Sequence, residues 1–137
     1  MNAARVFIDT NILIYIFSSD ELDKKMKALE FLDDCQPVIS TQILKEFSNV
    51  LLKKGKIMPI NLKELLAEVI EISIVVNEET SLIIDSIDIH DRYKFSFYDS
   101  LIIATALSAE CQILLSEDMQ DGQLIEGRLK IFNPLVN

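Results

Sequence analysis

This chain of 137 residues has no tryptophan, one histidine, two cysteines, three glycines and three prolines. Each scarcity closes off a class of protein. A lone His90 leaves no material for a histidine-rich zinc centre. Cys35 and Cys111 lie far apart, each beside apolar sequence, which favours a reduced protein in the cytoplasm over a disulfide-framed secreted one. With so little glycine and proline, and no repeat or low-complexity stretch, no linker stands out, and residues 1–137 read as a single domain. Long hydrophobic runs are missing too. Residues 12–17 form an apolar stretch of six, cut off by Asp9 from Val6, Phe7 and Ile8. That is too short for a signal-peptide core, and nothing approaches the roughly 18 apolar residues of a membrane span.

What is present is apolar and acidic. Hydrophobic residues make up 50% of the chain, and 22 Asp and Glu outweigh 13 Lys and Arg for a formal charge of -9. Residues 1–60 carry eight charges of each sign, so residues 61–137, with five basic and fourteen acidic, hold the whole excess. Such a balance argues against non-specific nucleic-acid binding through a basic face. It leaves room for a nuclease that grips phosphate through a carboxylate-held metal.

Strand and helix patterns alternate along the chain. Residues 5–9 read as a short buried strand, 11–17 as helical, and 20–34 as an amphipathic helix with Leu22, Met26, Leu29 and Leu32 at helical spacing. A strand at 37–40 leads to a helix that carries Ile43, Phe47, Val50 and Leu51 on one face and stops near Gly55. Then come a helix at 61–71, a strand at 72–76, helices at 78–93 and 97–109, a strand at 113–115 and a fifth strand at 130–132. The alternation predicts an α/β fold with a parallel sheet covered on both faces.

In such folds ligands gather at the carboxyl ends of the strands. Four acids map there: Asp9 closes the first strand, Glu46 lies early in the helix after the second, Asp99 sits early in the helix before the fourth, and Asp118 follows the fourth. Each has a bland reading. Asp9 is a good helix cap, Glu46 an ordinary solvated residue, and Asp118 a loop acid with Glu117 and Asp121 as competitors. Ser96-Phe97-Tyr98-Asp99 fits a capping signature, but capping does not explain why Asp99 shares a helical stripe with Ile102, Ile103 and Ala106. Taken together, clustered carboxylates repel one another unless a cation sits among them. Oxygen ligands alone favour Mg²⁺ or Mn²⁺ over Zn²⁺, and such ions serve phosphodiester hydrolysis.

Four ordered segments carry a family resemblance: Phe7-Ile8-Asp9-Thr10-Asn11-Ile12-Leu13, then Ile39-Ser40-Thr41-Gln42-Ile43-Leu44-Lys45-Glu46-Phe47, then Phe97-Tyr98-Asp99-Ser100-Leu101-Ile102-Ile103-Ala104-Thr105-Ala106, then Leu114-Leu115-Ser116-Glu117-Asp118-Met119-Gln120-Asp121-Gly122. Together with Ile131-Phe132-Asn133-Pro134 they resemble the PIN-domain ribonucleases, in particular the VapC-like toxins of toxin–antitoxin systems, over almost the whole chain. The resemblance implies a PIN-like three-layer fold with a mostly parallel central sheet of four to five strands flanked by helices. It also implies RNA hydrolysis, transfer RNA included among the substrates, with Mg²⁺ or Mn²⁺ bound by an acidic quartet. That quartet falls on Asp9, Glu46, Asp99 and Asp118. Asp9 and Asp99 would hold the principal metal, while Asp118 and Glu46 would place a second ion or orient the attacking water. Thr10 or Asn11, and Ser116, match supporting polar positions. The chain departs from the family in having Tyr98 and Ser100 where relatives often carry Trp and Ala, and in the spacing of Asp121, which leaves the choice of fourth ligand between Asp118 and Asp121 open.

The resemblance further implies a homodimer and a cognate antitoxin whose basic segment suits an acidic surface. Leu22, Met26 and Leu29 are available to line a groove for that segment, although such a stripe more commonly packs into the core. Lys45, Lys53, Lys54 and Lys56 cluster on or after the helix bearing Glu46 and are candidates to guide an RNA backbone, but lysines near a helix C-terminus also complement its dipole. Two rivals differ in class. A phosphoacceptor receiver domain would want adjacent acids after the first strand and a lysine after a late one, where this chain has Thr10-Asn11 and Ser116-Glu117-Asp118. A non-catalytic PIN-like binding module would carry a degenerate acidic site.

Overall fold

A computed structural model describes residues 3–55 and 57–136. Within them the chain runs β1 (Arg5–Ile8), α1 (Thr10–Ile16), α2 (Leu22–Leu32), β2 (Gln36–Ser40), α3 (Thr41–Lys53), α4 (Pro59–Ile72), β3 (Ile74–Val76), α5 (Thr80–Tyr93), α6 (Phe97–Ser108), β4 (Ile113–Leu115), β5 (Leu124–Ile125) and β6 (Leu129–Phe132). The strands form one sheet in the order β3-β2-β1-β4-β6-β5, parallel throughout except where β5 meets β6. This is the expected mostly parallel sheet flanked by helices. The two-residue β5 is an addition, too short to leave a periodic signal.

The apolar runs of β1 and β4 are explained by their place. Val6, Phe7, Ile8, Leu114 and Leu115 are buried, as central parallel strands covered on both faces must be. The strand order runs outward from β1 through β2 to β3, then returns to the other side of β1 for β4 and β6. Right-handed crossovers put α1 to α4 on one face of the sheet and α5 and α6 on the other. In keeping with that, α1 packs against α2 and α3, α3 against α4, and α5 against α6. The reversal makes the gap between the ends of β1 and β4 a topological switch point, where α/β folds open a crevice.

One expectation is overturned in α2. Leu22, Met26 and Leu29 stand 62%, 64% and 42% exposed, so the stripe does not enter the core. The face that packs runs through Lys24, Ala28, Phe31 and Leu32, with Ala28 fully buried and the others half-buried. A small residue at the centre lets helix backbones approach closely, and the Lys24 stem lies along the interface with its ammonium 4.6 Å from the centre of the Tyr15 ring. Among the described residues no helix is long and apolar enough to cross a membrane. Both cysteines are free, and burial pushes the Cys111 thiol up to about 12.

Candidate functional site

The register of the central strands builds the first half of the site. Ile8 pairs with Leu115, so the residues that follow, Asp9 and Ser116, emerge side by side at the switch point. The Asp9 backbone N–H donates to the Leu115 carbonyl at 3.0 Å, which extends the ladder to the acid itself. Asp9 caps α1, its Oδ1 accepting from the Thr10 N–H at 2.8 Å. Its Oδ2 accepts from the Ser116 hydroxyl at 3.0 Å, and that hydroxyl accepts from the Met119 N–H at 3.2 Å. Ser116 therefore ties the β4 loop to Asp9. Asn11, one turn into the same region, donates from Nδ2 to Asp118 Oδ2 at 3.1 Å. Each carboxylate keeps lone pairs beyond these bonds.

The other two acids arrive on helices from opposite faces of the sheet. Ser40 closes β2 and caps α3 by accepting from the Ile43 N–H, which sets Glu46 in the second turn above the strand ends. Gln42, one turn earlier and buried, donates from Nε2 to Glu46 Oε1 at 3.1 Å. On α6, the Ser96 hydroxyl accepts from the Asp99 N–H at 3.2 Å, so the capping signature forms as read. Asp99, half-buried in the first turn of α6 ahead of the eight buried residues Ser100 to Leu107, lines the cleft. Asp9, Glu46, Asp99 and Asp118 line a single cleft of about 240 Å3, together with Thr10, Asn11, Gln42, Val50, Tyr98 and Ile102.

The electrostatics are those of negative charge without a counter-charge. Burial, chiefly, pushes the Asp9 carboxyl from 3.8 to about 6; hydrogen bonds from Thr10 and Ser116 oppose the rise, and the charges of Asp99 and Glu46 add to it. Burial also raises Glu46, with Asp99 and Glu78 contributing, and raises Asp99, with Asp118 contributing. Among the described residues lining the cleft none is Lys or Arg. The Thr10 hydroxyl, buried and near enough to Glu46 to ease its ionisation, makes no hydrogen bond of good geometry, and Gln42 Oε1 is likewise unpartnered.

The remaining candidates lie elsewhere. Asp121 is outside the cleft, its Oδ1 accepting from the Asn133 N–H at 2.8 Å, so of the two contenders Asp118 is the acid that shares the cleft. Lys45, Lys53 and Lys54 are exposed on α3 and its C-cap and none lines the cleft; Lys56 falls outside the described residues. Sequence reasoning passed over Gln42, whose bond to Glu46 sits at an ordinary i,i+4 spacing. It also passed over Glu78, which accepts from the Thr41 hydroxyl and the Gln42 N–H at the start of α3. A glutamate across a crossover leaves no local pattern.

The chemistry of the cleft fits a hard divalent cation. It presents only oxygen donors, its Asp9, Glu46 and Asp99 carboxyls are pushed toward protonation, and its described lining contains no side-chain cation. Among the described residues no three acidic, histidine or cysteine side chains are placed close enough to hold a metal ion together. Mg²⁺ does not require three, since it keeps several waters and is bound through one or two carboxylates.

The family model for the PIN domain matches residues 6–120. No curated protein sequence matches the chain. A toxin–antitoxin complex from Klebsiella pneumoniae contains a chain of similar structure, with a TM-score of 0.69 and 23% identity over 94% of this chain and 97% of that one. The sarcin-ricin loop cleaving toxin VapC20 of Mycobacterium tuberculosis gives 0.66 and 15% over 82% and 89%, and FitAcB from Neisseria gonorrhoeae 0.64 and 18% over 94% and 97%. At these identities the likeness is one of fold.

Proposed function

The chain belongs to the PIN-domain family, whose members are generally nucleases, and we propose that it is a Mg²⁺- or Mn²⁺-dependent endoribonuclease acting through Asp9, Glu46, Asp99 and Asp118. The single observation that carries this reading is the convergence of the four acids, from four separate stretches of chain, on one cleft with no lysine or arginine among its described lining. Asp9 and Asp99 would hold the principal ion, with Asp118 assisting. When bound, the ion would supply charge to polarise the scissile phosphodiester and stabilise the leaving oxygen. Ser116 and the Thr10 N–H fix the orientation of the Asp9 carboxylate, and Asn11 fixes that of Asp118. Gln42 occupies Glu46 Oε1, which leaves Oε2 to take the proton from the attacking water, a task its raised pKa suits.

The test is cleavage of a pooled cellular RNA preparation rich in transfer RNA, with Mg²⁺ or Mn²⁺ and then with chelator. Discrete cuts that need the metal are expected. A rival reading, a non-catalytic PIN-like binding module, draws on the open ligand set of the cleft; intact RNA in every metal would decide for it. Charge reversal at Lys53 and Lys54 is expected to weaken cleavage only modestly, on the order of severalfold, because seven residues of helix put them about 10 Å along α3 from Glu46. Unchanged turnover and salt response would remove them from the RNA path.

The fold neighbour found in a toxin–antitoxin complex supports a role as the toxin of such a pair; that it works as a homodimer in the cytoplasm is part of the same proposal and rests on the family resemblance of the sequence. The exposed Leu22, Met26 and Leu29, beside a chain of net charge -9, suit an antitoxin segment that is both apolar and basic. Co-purification with a basic protein encoded alongside is the expected result, abolished by Met26→Asp; a complex indifferent to that change would place the partner elsewhere.

A further inference from the structure

We propose that Tyr98 is a stacking platform for an unpaired base of the RNA, so that the cleft accepts single-stranded or looped segments in preference to duplex. The inference rests on the ribonuclease reading for its ligand, and on the geometry of the rim for its content. Tyr98 immediately precedes Asp99 and lines the acidic cleft, yet it is 65% exposed. Tyr98 stands in the open first turn of α6, ahead of the buried run from Ser100 to Leu107, so its ring is accessible at the rim of the cleft. Its one ring partner is Phe97, in a T-shaped pair with centroids 5.3 Å apart. Such an edge contact restricts the Tyr98 side chain, and its 65% exposure leaves ring surface open beside the acids of the cleft.

Charge makes the same point from the other side. Four carboxylates repel a polyanion, and no lysine or arginine among the described lining residues offsets them. Phosphate contacts from the described lining are left to neutral donors such as Thr10, Asn11 and Gln42, so contacts to the bases have more of the affinity to supply. Stacking on an aromatic side chain is the sequence-tolerant way to supply it, and only a nucleotide released from a duplex exposes the face that stacks.

The chain has no tryptophan, so Tyr98→Trp installs a single reporter at the position in question. In an Asp9→Asn background, to prevent cleavage, titration with oligouridine is expected to quench its fluorescence, and a blunt RNA duplex of equal length is expected not to. In otherwise unaltered protein, Tyr98→Ala is expected to raise KM for single-stranded RNA about ten- to hundredfold with a smaller change in kcat, while Tyr98→Phe stays near the original value. Unfolding measured in parallel should show little change, since the side chain is exposed. Equal KM for Tyr98→Ala, with cleavage intact, overturns the platform and leaves the nuclease standing. Quenching by single strands in a protein that cuts no RNA supports the platform and fails the nuclease. Quenching by duplex as strong as by single strand, or by neither, overturns the proposal.

Discussion

Asp9→Asn is expected to lower metal-dependent RNA cleavage on the order of 10²–10³-fold, the scale for losing one group that stabilises reacting charge, and at the same time to make the metal-free protein more stable. The two effects have one origin. The Asp9 carboxyl, lifted mainly by burial from 3.8 to about 6, holds its proton in the folded chain over a range where the unfolded chain has released it. Stability therefore falls as pH rises between about 4 and 6 and stays lower above that window, by at most about 3 kcal/mol for a shift of this size. Asn carries no charge, and its side chain still accepts from the Thr10 N–H and faces the Ser116 hydroxyl. Melting curves of the metal-free proteins should thus converge near pH 4 and separate by several degrees at neutral pH, with the variant higher. Added Mn²⁺ should close the gap by stabilising only the parent. Superimposable pH profiles, or undiminished cleavage by the variant, would show that Asp9 is a helix cap and nothing more.

That an aspartate capping a helix also lines the acidic cleft explains why the sequence alone is informative yet incomplete. Asp9 does cap α1 and Asp99 does sit in a capping signature, so both bland readings are correct as far as they go. The helix termini at the carboxyl edge of the sheet supply the cap geometry, and the switch point supplies the crevice. Buried strands are legible because β1 and β4 are short apolar runs bounded by polar residues, and helices such as α3 because their apolar face recurs at helical spacing, whereas α6 is apolar all round. The α2 stripe misled for a physical reason. Periodicity reveals that Leu22, Met26 and Leu29 share a face, but the helix packs on its Lys24, Ala28, Phe31 and Leu32 face, and neighbours such as α1 and Phe132 of β6 decide between the two. Which of Asp118 and Asp121 lines the cleft is similarly out of reach of the sequence, since Asn11 and Asn133, distant in sequence, claim one acid each.

Mn²⁺ affinity is expected to climb steeply with pH up to about 6 and to level off above it, because a carboxylate must shed its proton before it can bind a cation. One displaced proton gives about tenfold in apparent affinity per pH unit. The slope below pH 6 should exceed that, since Glu46 and Asp99 are also raised by burial and by neighbouring acids. Ser116→Ala separates this titration from simple loss of structure. The Ser116 hydroxyl favours the ionised form of Asp9, so removing it moves the inflection to higher pH and weakens binding most where Asp9 is half-protonated, with affinity recovering at alkaline pH. A variant that had merely loosened the β4 loop, by leaving the Met119 N–H unpartnered, would bind more weakly at every pH alike. Calorimetric titrations from about pH 5 to about pH 8, in buffers of different ionisation enthalpy to count the protons released, distinguish the outcomes. Affinity that is flat across the range, with no proton released, would mean that the ion is not held by Asp9.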